Sequence, residues 1–241
     1  MKTITSKDNQ KVKLAYSLKL KKNREKTNLF LCEGRKNLDM AISAKCVKII
    51  FTKNDLFLDE NLGLEIYKVN DEIIDKLSSE KSPEGIVFIC EKLSYKKESK
   101  FYSKIVYLDD VSDPGNLGTI IRTALAFKYD AVVLSKNSVD IYNEKTISAS
   151  KGSIFFLPVF YGDLEDYKDK KIYVSSLNHN AIDLNLIQKS TNFVLVLGNE
   201  SHGVSEKSLS LANYIVKIDI SDQIDSLNVA VAAGILMKYL S

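Results

Sequence analysis

Three short segments of this chain carry polar side chains of the kinds that bind anions and hydroxyl groups. The first, VSDPGNLGTIIRTALAF, contains Asn116 and Arg122. The second, LGNESHGVS, contains Glu200, and the third, ISDQIDSLNVAVAAGIL, contains Ser226 and Asn228. Guanidinium, carboxylate and amide groups together can hold a phosphate and orient a hydroxyl group. These five residues are therefore the candidates for catalysis.

The first segment reads as a turn followed by a helix, with Asn116 as the expected N-cap after Asp113-Pro114-Gly115. Arg122 follows within two helical turns, where a guanidinium near exposed backbone N–H groups could bind a phosphate. It is the only arginine after residue 35, whereas lysine supplies nearly all other positive charges. This usage suggests a need for the planar guanidinium fork. The same spacing also fits an ordinary helix with an exposed arginine.

The other two segments have simpler readings as well. Gly198 and Gly203 permit a close approach of the backbone, and Ser205 is the expected cap of the next helix. His202 can titrate near neutrality, but it has no neighbouring acid or second ligand and fits an ordinary loop residue. Ser226 could serve only as the N-cap of the apolar helix that follows it.

The elements that position these segments predict an α/β fold. Continuous apolar strands alternate with helical patterns from residue 104 onward, which is typical of a mostly parallel sheet with helices on both faces. The predicted strands cover 104–110, 130–135, 171–177, 192–198 and 213–219. Ligands of such sheets bind beyond the carboxyl ends of the strands, and each of the three segments follows a strand.

The first part of the chain predicts a smaller α/β unit. Helices are expected at 7–20, 35–43 and 70–77, and strands at 28–32, 45–51 and 85–90. The polar stretch 92–103 is the expected linker. We therefore predict a substrate-binding domain at 1–95 and a catalytic domain at 104–241.

Composition and charge exclude several classes of protein. No apolar run could span a bilayer and no secretory signal begins the chain, so we expect a cytoplasmic protein that does not enter a membrane. The three cysteines lack CxxC spacing, which predicts neither a metal site nor disulfides. Neither a dinucleotide-binding glycine motif nor a P-loop follows any strand. Residues 1–26 carry nine basic and two acidic residues, which fits contact with a polyanion or a solvated helix.

The three segments together resemble the motifs of the SpoU (TrmH) family of RNA ribose methyltransferases. The similar stretches are DPGNLGTIIRTALAF, VLGNESHGVS and SLNVAVAAGIL, in this order. The stretch FLCEGRKNLDMAI at 30–42 resembles the start of the substrate-binding domain of ribosomal RNA members. The resemblance implies a deep C-terminal trefoil knot, a homodimer, S-adenosyl-L-methionine as cofactor, and methylation of a ribose 2′-hydroxyl. Ribosomal RNA is the favoured substrate and transfer RNA is the other.

The resemblance also assigns roles to residues. The reaction centre would contain Asn116, Arg122, Glu200, Ser226 and Asn228. The methyl donor would be held by backbone around Leu197, Gly198, Ile218, Ile220 and Leu227. Glu200 and Asn228 would orient Arg122 and the ribose, and Arg122 would act either as the base or as a phosphate clamp. The family often has proline and methionine where Asp219 and Ile220 stand here.

Three other functions remain open on the sequence. The first is an RNA-binding or ribosome-assembly factor that keeps the fold without catalysis, although all five candidate residues are present. The second is a methyltransferase of the same fold that acts on a base or on protein. A small-molecule enzyme fits least, because it would leave the basic N-terminal segment without a role.

Overall fold

The structure is a computed structural model that describes residues 2–54, 63–177, 181–187 and 189–241. It divides into two compact units, one formed by 1–94 with 142–148 and the other by 95–141 with 149–241. Within the described ranges, no helix combines the length and the apolar character needed to cross a membrane.

Unit 1 is built around a five-stranded mixed sheet in the order β1-β4-β3-β5-β2. The β1–β4 and β3–β4 pairs are parallel, and β5 runs antiparallel to both β2 and β3. The elements of this unit are β1 (Lys2–Ile4), α1 (Gln10–Ser17), α2 (Lys21–Thr27), β2 (Leu29–Glu33), α3 (Arg35–Ser43), β3 (Val47–Thr52), β4 (Glu65–Val69), α4 (Asp71–Leu77) and β5 (Ile86–Glu91).

The helix predicted at 7–20 is shorter in the structure: α1 ends at Ser17, a turn follows at 18–20, and a second helix, α2, which was not predicted, begins at Lys21. Arg24 explains the break, because its side chain is only 4% exposed and its Nη1 donates to the main-chain oxygens of Leu18 at 2.6 Å and Lys19 at 2.8 Å. Buried carbonyl groups that lack helical partners must be bonded elsewhere, and a guanidinium offers several donors at once. The expected cap of α4 is confirmed, since the side chain of Asn70 accepts from Ile73 N.

Unit 2 contains a seven-stranded sheet in the order β10-β12-β9-β11-β6-β7-β8, and every pair in it is parallel. The elements are β6 (Lys104–Leu108), α5 (Pro114–Ala126), β7 (Ala131–Leu134), α6 (Glu144–Ser150, which straddles the two units), β8 (Val159–Tyr161), β9 (Lys171–Ser175), β10 (Ile182–Asp183), β11 (Phe193–Leu197), α7 (Glu206–Ser210), β12 (Tyr214–Lys217) and α8 (Val229–Leu240). The predicted α/β class with a parallel sheet is confirmed.

Both faces of this sheet are covered. On one face, alternate strand residues such as Tyr107, Val174 and Val196 form a cluster with Tyr167 and pack against Leu209 of α7. The residues between them in sequence are also buried, and α5 and α8 pack on this second face against β7 and β11 and against each other. Burial on both faces explains why the strands read as continuous apolar runs.

The stretch predicted as a linker is packed instead. Tyr95 contacts the core cluster of unit 2, and Tyr102 is 8% exposed in the same cluster. The hydroxyl of Tyr167 donates to Lys97 O at 3.1 Å. Two tyrosines in an otherwise polar stretch, together with the bond from Tyr167, provide this anchoring, which charge and polarity alone did not reveal.

Because Arg24 holds the α1–α2 turn, we expect Arg24→Lys to lower the free energy of unfolding by about 1.5–3 kcal/mol, the usual loss for bonds made by a charged group. Arg35→Lys is the matched control, since Arg35 is exposed and its side chain pairs, among the described residues, with Asp39 at 3.1 Å. It should change stability by no more than about 0.5 kcal/mol. Urea unfolding followed by circular dichroism measures both, and equal losses would contradict the role given to Arg24.

Candidate active site

The first site segment differs from its prediction in one respect. The N-cap of α5 is Asp113, whose Oδ1 accepts from Asn116 N at 2.8 Å, and not Asn116 as predicted. Pro114 takes the first helical position, where a missing N–H costs nothing, so the residue before it becomes the cap. The side chain of Asn116 is thereby left for other partners.

A chain of hydrogen bonds joins the three predicted segments. Asn116 Nδ2 donates to Glu200 Oε1 at 2.9 Å, and Asn228 Nδ2 donates to Asn116 Oδ1 at 3.0 Å. Glu200 Oε2 also accepts from the main-chain N of Ser112 at 3.3 Å and from its Oγ at 3.1 Å. The structure therefore brings Asn116, Glu200 and Asn228 together, as the sequence predicted.

Asn228 has two roles at once. It is the N-cap of α8, because its Oδ1 accepts from Ala230 N at 2.9 Å and Val231 N at 3.4 Å. Ser226, the sequence candidate for a mere cap, does not cap this helix. It lies exposed two residues earlier, in irregular backbone.

Glu200 is held in its charged form. Partial burial acts to raise the pKa of its carboxyl group, but hydrogen bonds from Asn116, from its own backbone and from Ser112 outweigh burial, so the pKa lies below its usual value. A carboxylate in this state accepts hydrogen bonds and donates none. Glu200 is therefore an acceptor that fixes its neighbours and is a poor source of a proton.

A cavity of about 450 Å³ opens beside this chain of hydrogen bonds, a size within the range of small-molecule sites. All five residues predicted to hold a donor line it: Leu197, Gly198, Ile218, Ile220 and Leu227. Glu200 and Ser226 also line it, together with Lys217 and Asp225. Asn116 and Asn228 do not belong to its wall and are connected to it through Glu200.

Arg122 stands apart from this group. It is exposed on α5, and within the described ranges its side chain makes no hydrogen bond or ion pair. We expected Glu200 and Asn228 to orient Arg122. Within the single chain, both side chains bind Asn116 instead. Asp219 is likewise exposed and does not line the cavity.

The loop after β11 is folded tightly on itself. Asn199 and Gly203 exchange main-chain hydrogen bonds of 2.9 and 3.0 Å, and Gly203 has a φ of +72°. A Cβ on Gly198 would lie 2.3 Å from the carbonyl carbon of Gly203, so only glycine fits there. The predicted close approach of the backbone at these glycines is confirmed. His202 is an exposed residue of this turn.

Sequence reasoning missed the carboxylate that anchors this loop. Asp109 is 7% exposed, and its Oδ2 accepts from Ser205 N, Ser205 Oγ and Ser208 Oγ, each at 2.7 Å. Ser205 is the N-cap of α7, as predicted. The available signal was the acidic pair that ends the apolar run KIVYLDD, because an acid at a buried strand end needs partners.

Since Asp109 makes three short bonds from a buried position, Asp109→Asn should lower the free energy of unfolding by about 1.5–3 kcal/mol. It should also speed amide hydrogen exchange in residues 198–208. The matched control is Asp163→Asn, which breaks an exposed ion pair with Lys207 of 3.0 Å and should cost less than about 1 kcal/mol. Unchanged exchange in the loop of the Asp109 variant would contradict the anchoring role.

Comparison with known proteins agrees with this geometry. Residues 103–238 match the model of the SpoU rRNA Methylase family, and residues 9–87 match an MRM3-like substrate binding domain. The 23S rRNA (guanosine(2553)-2′-O)-methyltransferase RlmP of Bacillus subtilis is 37% identical over 100% of this chain and 99% of its own. The mitochondrial rRNA methyltransferase 3A of Danio rerio is 28% identical, over 95% of this chain and 67% of its own.

Solved structures give the same result. The AdoMet-bound rRNA methyltransferase of Sinorhizobium meliloti superposes with a TM-score of 0.89 at 29% identity, covering 99% of this chain and 97% of that one. AviRb of Streptomyces viridochromogenes, also with AdoMet, has a TM-score of 0.84 at 20% identity over 96% of this chain and 97% of its own, a likeness of fold. Because the family model matches more than half of the chain and the Bacillus relative matches all of it, this protein is a methyltransferase of the SpoU rRNA methylase family.

Proposed function

We propose that this protein transfers a methyl group from S-adenosyl-L-methionine to a ribose 2′-hydroxyl of RNA, with ribosomal RNA as the substrate. The observation that carries the proposal is the hydrogen-bonded chain Glu200–Asn116–Asn228, which brings three distant segments together beside one cavity. The Bacillus relative, which this chain matches over its full length, supports the substrate by its name.

The cavity fits the cofactor by its chemistry. Its wall combines apolar side chains, such as Leu197 and Ile220, with one ammonium group on Lys217 and carboxylates on Glu200 and Asp225. S-adenosyl-L-methionine combines a flat adenine with a zwitterionic amino acid and a positively charged sulfonium. The apolar wall suits the adenine, and the opposite charges suit the amino acid end. We assign the adenine to the backbone around Leu197, Gly198, Ile218, Ile220 and Leu227.

The bound cofactor supplies an electrophilic methyl group on sulfur. The protein has to hold a ribose oxygen in line with that methyl group, and such alignment can be worth roughly 7–11 kcal/mol of barrier. Glu200 is in the cavity wall and fixes Asn116, which in turn accepts from Asn228. We assign this rigid set to positioning the ribose. Ser226, also in the wall, can bond the hydroxyl or the cofactor carboxylate.

Arg122 we assign to the RNA phosphate next to the target ribose. A guanidinium does not give up its proton in proteins, so a phosphate clamp suits it better than a role as general base. Its exposure and its lack of partners among the described residues leave all its donors available for an anion. A bound phosphate beside the hydroxyl could then assist removal of the proton.

The remaining assignments follow from the same proposal. Residues 1–95 bind the RNA and residues 104–241 carry out methyl transfer, in a homodimer that acts in the cytoplasm. The homodimer is supported by α8, on which Val231 and Ile235 are 52% and 42% exposed. Exposed apolar side chains on one helix are typical of a subunit interface.

The proposed reaction is tested by incubating the protein with ribosomal RNA and methyl-labelled cofactor, followed by nuclease digestion. Label in a 2′-O-methyl nucleoside is the expected result. Label in a methylated base, or label only in protein, would refute the proposal.

Replacing Arg122 by lysine tests the clamp, because lysine keeps the charge and loses the bidentate fork. We expect kcat to fall about 100-fold, within the range for loss of one preorganised charge contact, while the cofactor Kd stays within about twofold. Single-turnover methylation and calorimetry measure the two quantities. Lys168→Gln, which removes an exposed positive charge of unit 2 outside the three site segments, is the control and should leave both unchanged. Near-normal turnover by the Arg122 variant would count against the clamp.

Removal of residues 1–94, which form unit 1 together with 142–148, tests the division of roles. A chain lacking residues 1–94, cut before the packed Tyr95, should bind the cofactor with nearly the same Kd and fail to methylate structured RNA. Cofactor binding also reports that unit 2 remains folded. Normal RNA methylation by this shortened chain would show that the first unit is not needed for substrate binding.

A further inference from the structure

Much of the positive charge near the N-terminus is already neutralised. Four lysines of the first 26 residues form ion pairs with carboxylates of the same unit, namely Lys7–Glu72, Lys11–Glu65, Lys13–Asp8 and Lys21–Glu25. Arg24 is buried in the α1–α2 turn. The net charge of this segment therefore overstates the cations that remain for a ligand, and the others must be located one by one.

Two lysines without a carboxylate partner in the described part of unit 1 lie around one aromatic ring. The Nζ of Lys19 is 5.8 Å and that of Lys76 is 5.2 Å from the ring centroid of Tyr16. Both ammonium groups otherwise donate to main-chain oxygens, Lys19 to Ser78 at 2.9 Å and Lys76 to Lys7 at 3.4 Å. These bonds direct both long side chains toward the ring.

The ring itself is open to solvent. Tyr16 is 49% exposed and Leu20, four residues on, is 55% exposed. Among the described residues of unit 1 these are the two large apolar side chains with such exposure, since the others of this kind belong to unit 2. The exposed ring, the adjacent aliphatic side chain and the two ammonium groups together offer a ligand both an apolar face and positive charge.

This combination fits a nucleotide better than other partners. A base offers a flat π-face to the ring while its phosphates pair with ammonium groups, which is how single-stranded nucleic acid is bound. A wholly apolar partner would strip water from two ammonium groups without replacing it. An acidic protein would use the lysines and leave the ring without a role.

We infer that Tyr16 is a stacking platform for an unpaired nucleotide of the RNA substrate, with Lys19 and Lys76 binding the flanking phosphates. The inference rests on the proposed RNA methylation and specifies what the first unit recognises. Bases inside a duplex hide their faces, so the platform selects single-stranded loops, bulges or ends.

The test measures binding of the full-length protein to a short single-stranded RNA and to a duplex of equal length, by fluorescence anisotropy. Tyr16→Ala should weaken binding of the single strand by about 5- to 100-fold, the usual effect of losing one base stack. It should change binding of the duplex much less. Tyr16→Phe keeps the π-face and should restore binding to within about twofold of the unmodified protein.

Phe101→Ala is the matched control. Phe101 is 42% exposed in unit 2 and has Lys96 and Lys100 at 4.4 and 5.2 Å from its ring centroid. It lies just before β6, at the amino ends of the parallel strands, whereas the site lies beyond their carboxyl ends. Its loss should therefore leave single-strand binding unchanged. Lys19→Gln and Lys76→Gln should each reduce the salt dependence of binding by about one phosphate contact.

Four results would overturn the inference: single-strand affinity unchanged by Tyr16→Ala, an equal loss on the duplex, no rescue by Tyr16→Phe, or an equal loss from Phe101→Ala. Failure of the proposed function looks different. In that case the unmodified protein makes no 2′-O-methyl nucleoside from ribosomal RNA, whatever the Tyr16 variants do in the binding assay.

Discussion

The site depends on the contact between the Glu200 carboxylate and the amide of Asn116, which closes a loop of 84 residues. The contact is possible because β6 and β11 are adjacent and parallel, so the segments that follow them leave the sheet at the same edge. Asp109 strengthens the arrangement, since it directly follows β6 and holds the loop after β11 through Ser205. The cavity, the ordered loop and the cap of α8 all follow from this pairing of two strand ends.

The sequence predicted the main architecture because long buried strands leave a clear signal. The expected helix at 35–43 has the same bounds in the structure, and the five predicted strands of the second unit all exist, with bounds that differ by at most two residues at either end. Strands β1, β4, β8 and β10 were missed. Three of them are runs of two or three residues, which carry no periodicity, and β4 is mostly only partly buried and so lacks a continuous apolar run. The trefoil knot came only with the family resemblance, because no pattern of residues signals threading of a chain.

The sequence predicted which residues belong to the site better than it predicted the contacts between them. Spacing and resemblance identified Asn116, Glu200 and Asn228, but the cap of α5 was assigned one turn too late because the effect of Pro114 was overlooked. The predicted orientation of Arg122 by Glu200 and Asn228 is not seen within the single chain, where both side chains bind Asn116, and it stays a prediction. In the proposed function Arg122 binds a phosphate of the substrate. The sequence of the enzyme alone cannot show a contact with another molecule. Asp109 was missed because its role depends on burial, which a residue type alone does not reveal.

The hydrogen-bonded chain at the site has a fixed direction. An ionised Glu200 can only accept, so Asn116 must present its amino group to it and turn its oxygen toward Asn228. Asn228 must then offer its own amino group, which leaves its oxygen for the first N–H groups of α8. Both amide orientations are thus imposed from the two ends, by a carboxylate and by a helix terminus. An aspartate at position 228 could still cap the helix, yet its carboxylate would face the side-chain oxygen of Asn116. Asn116 could turn its amino group toward that carboxylate only by giving up its bond to Glu200.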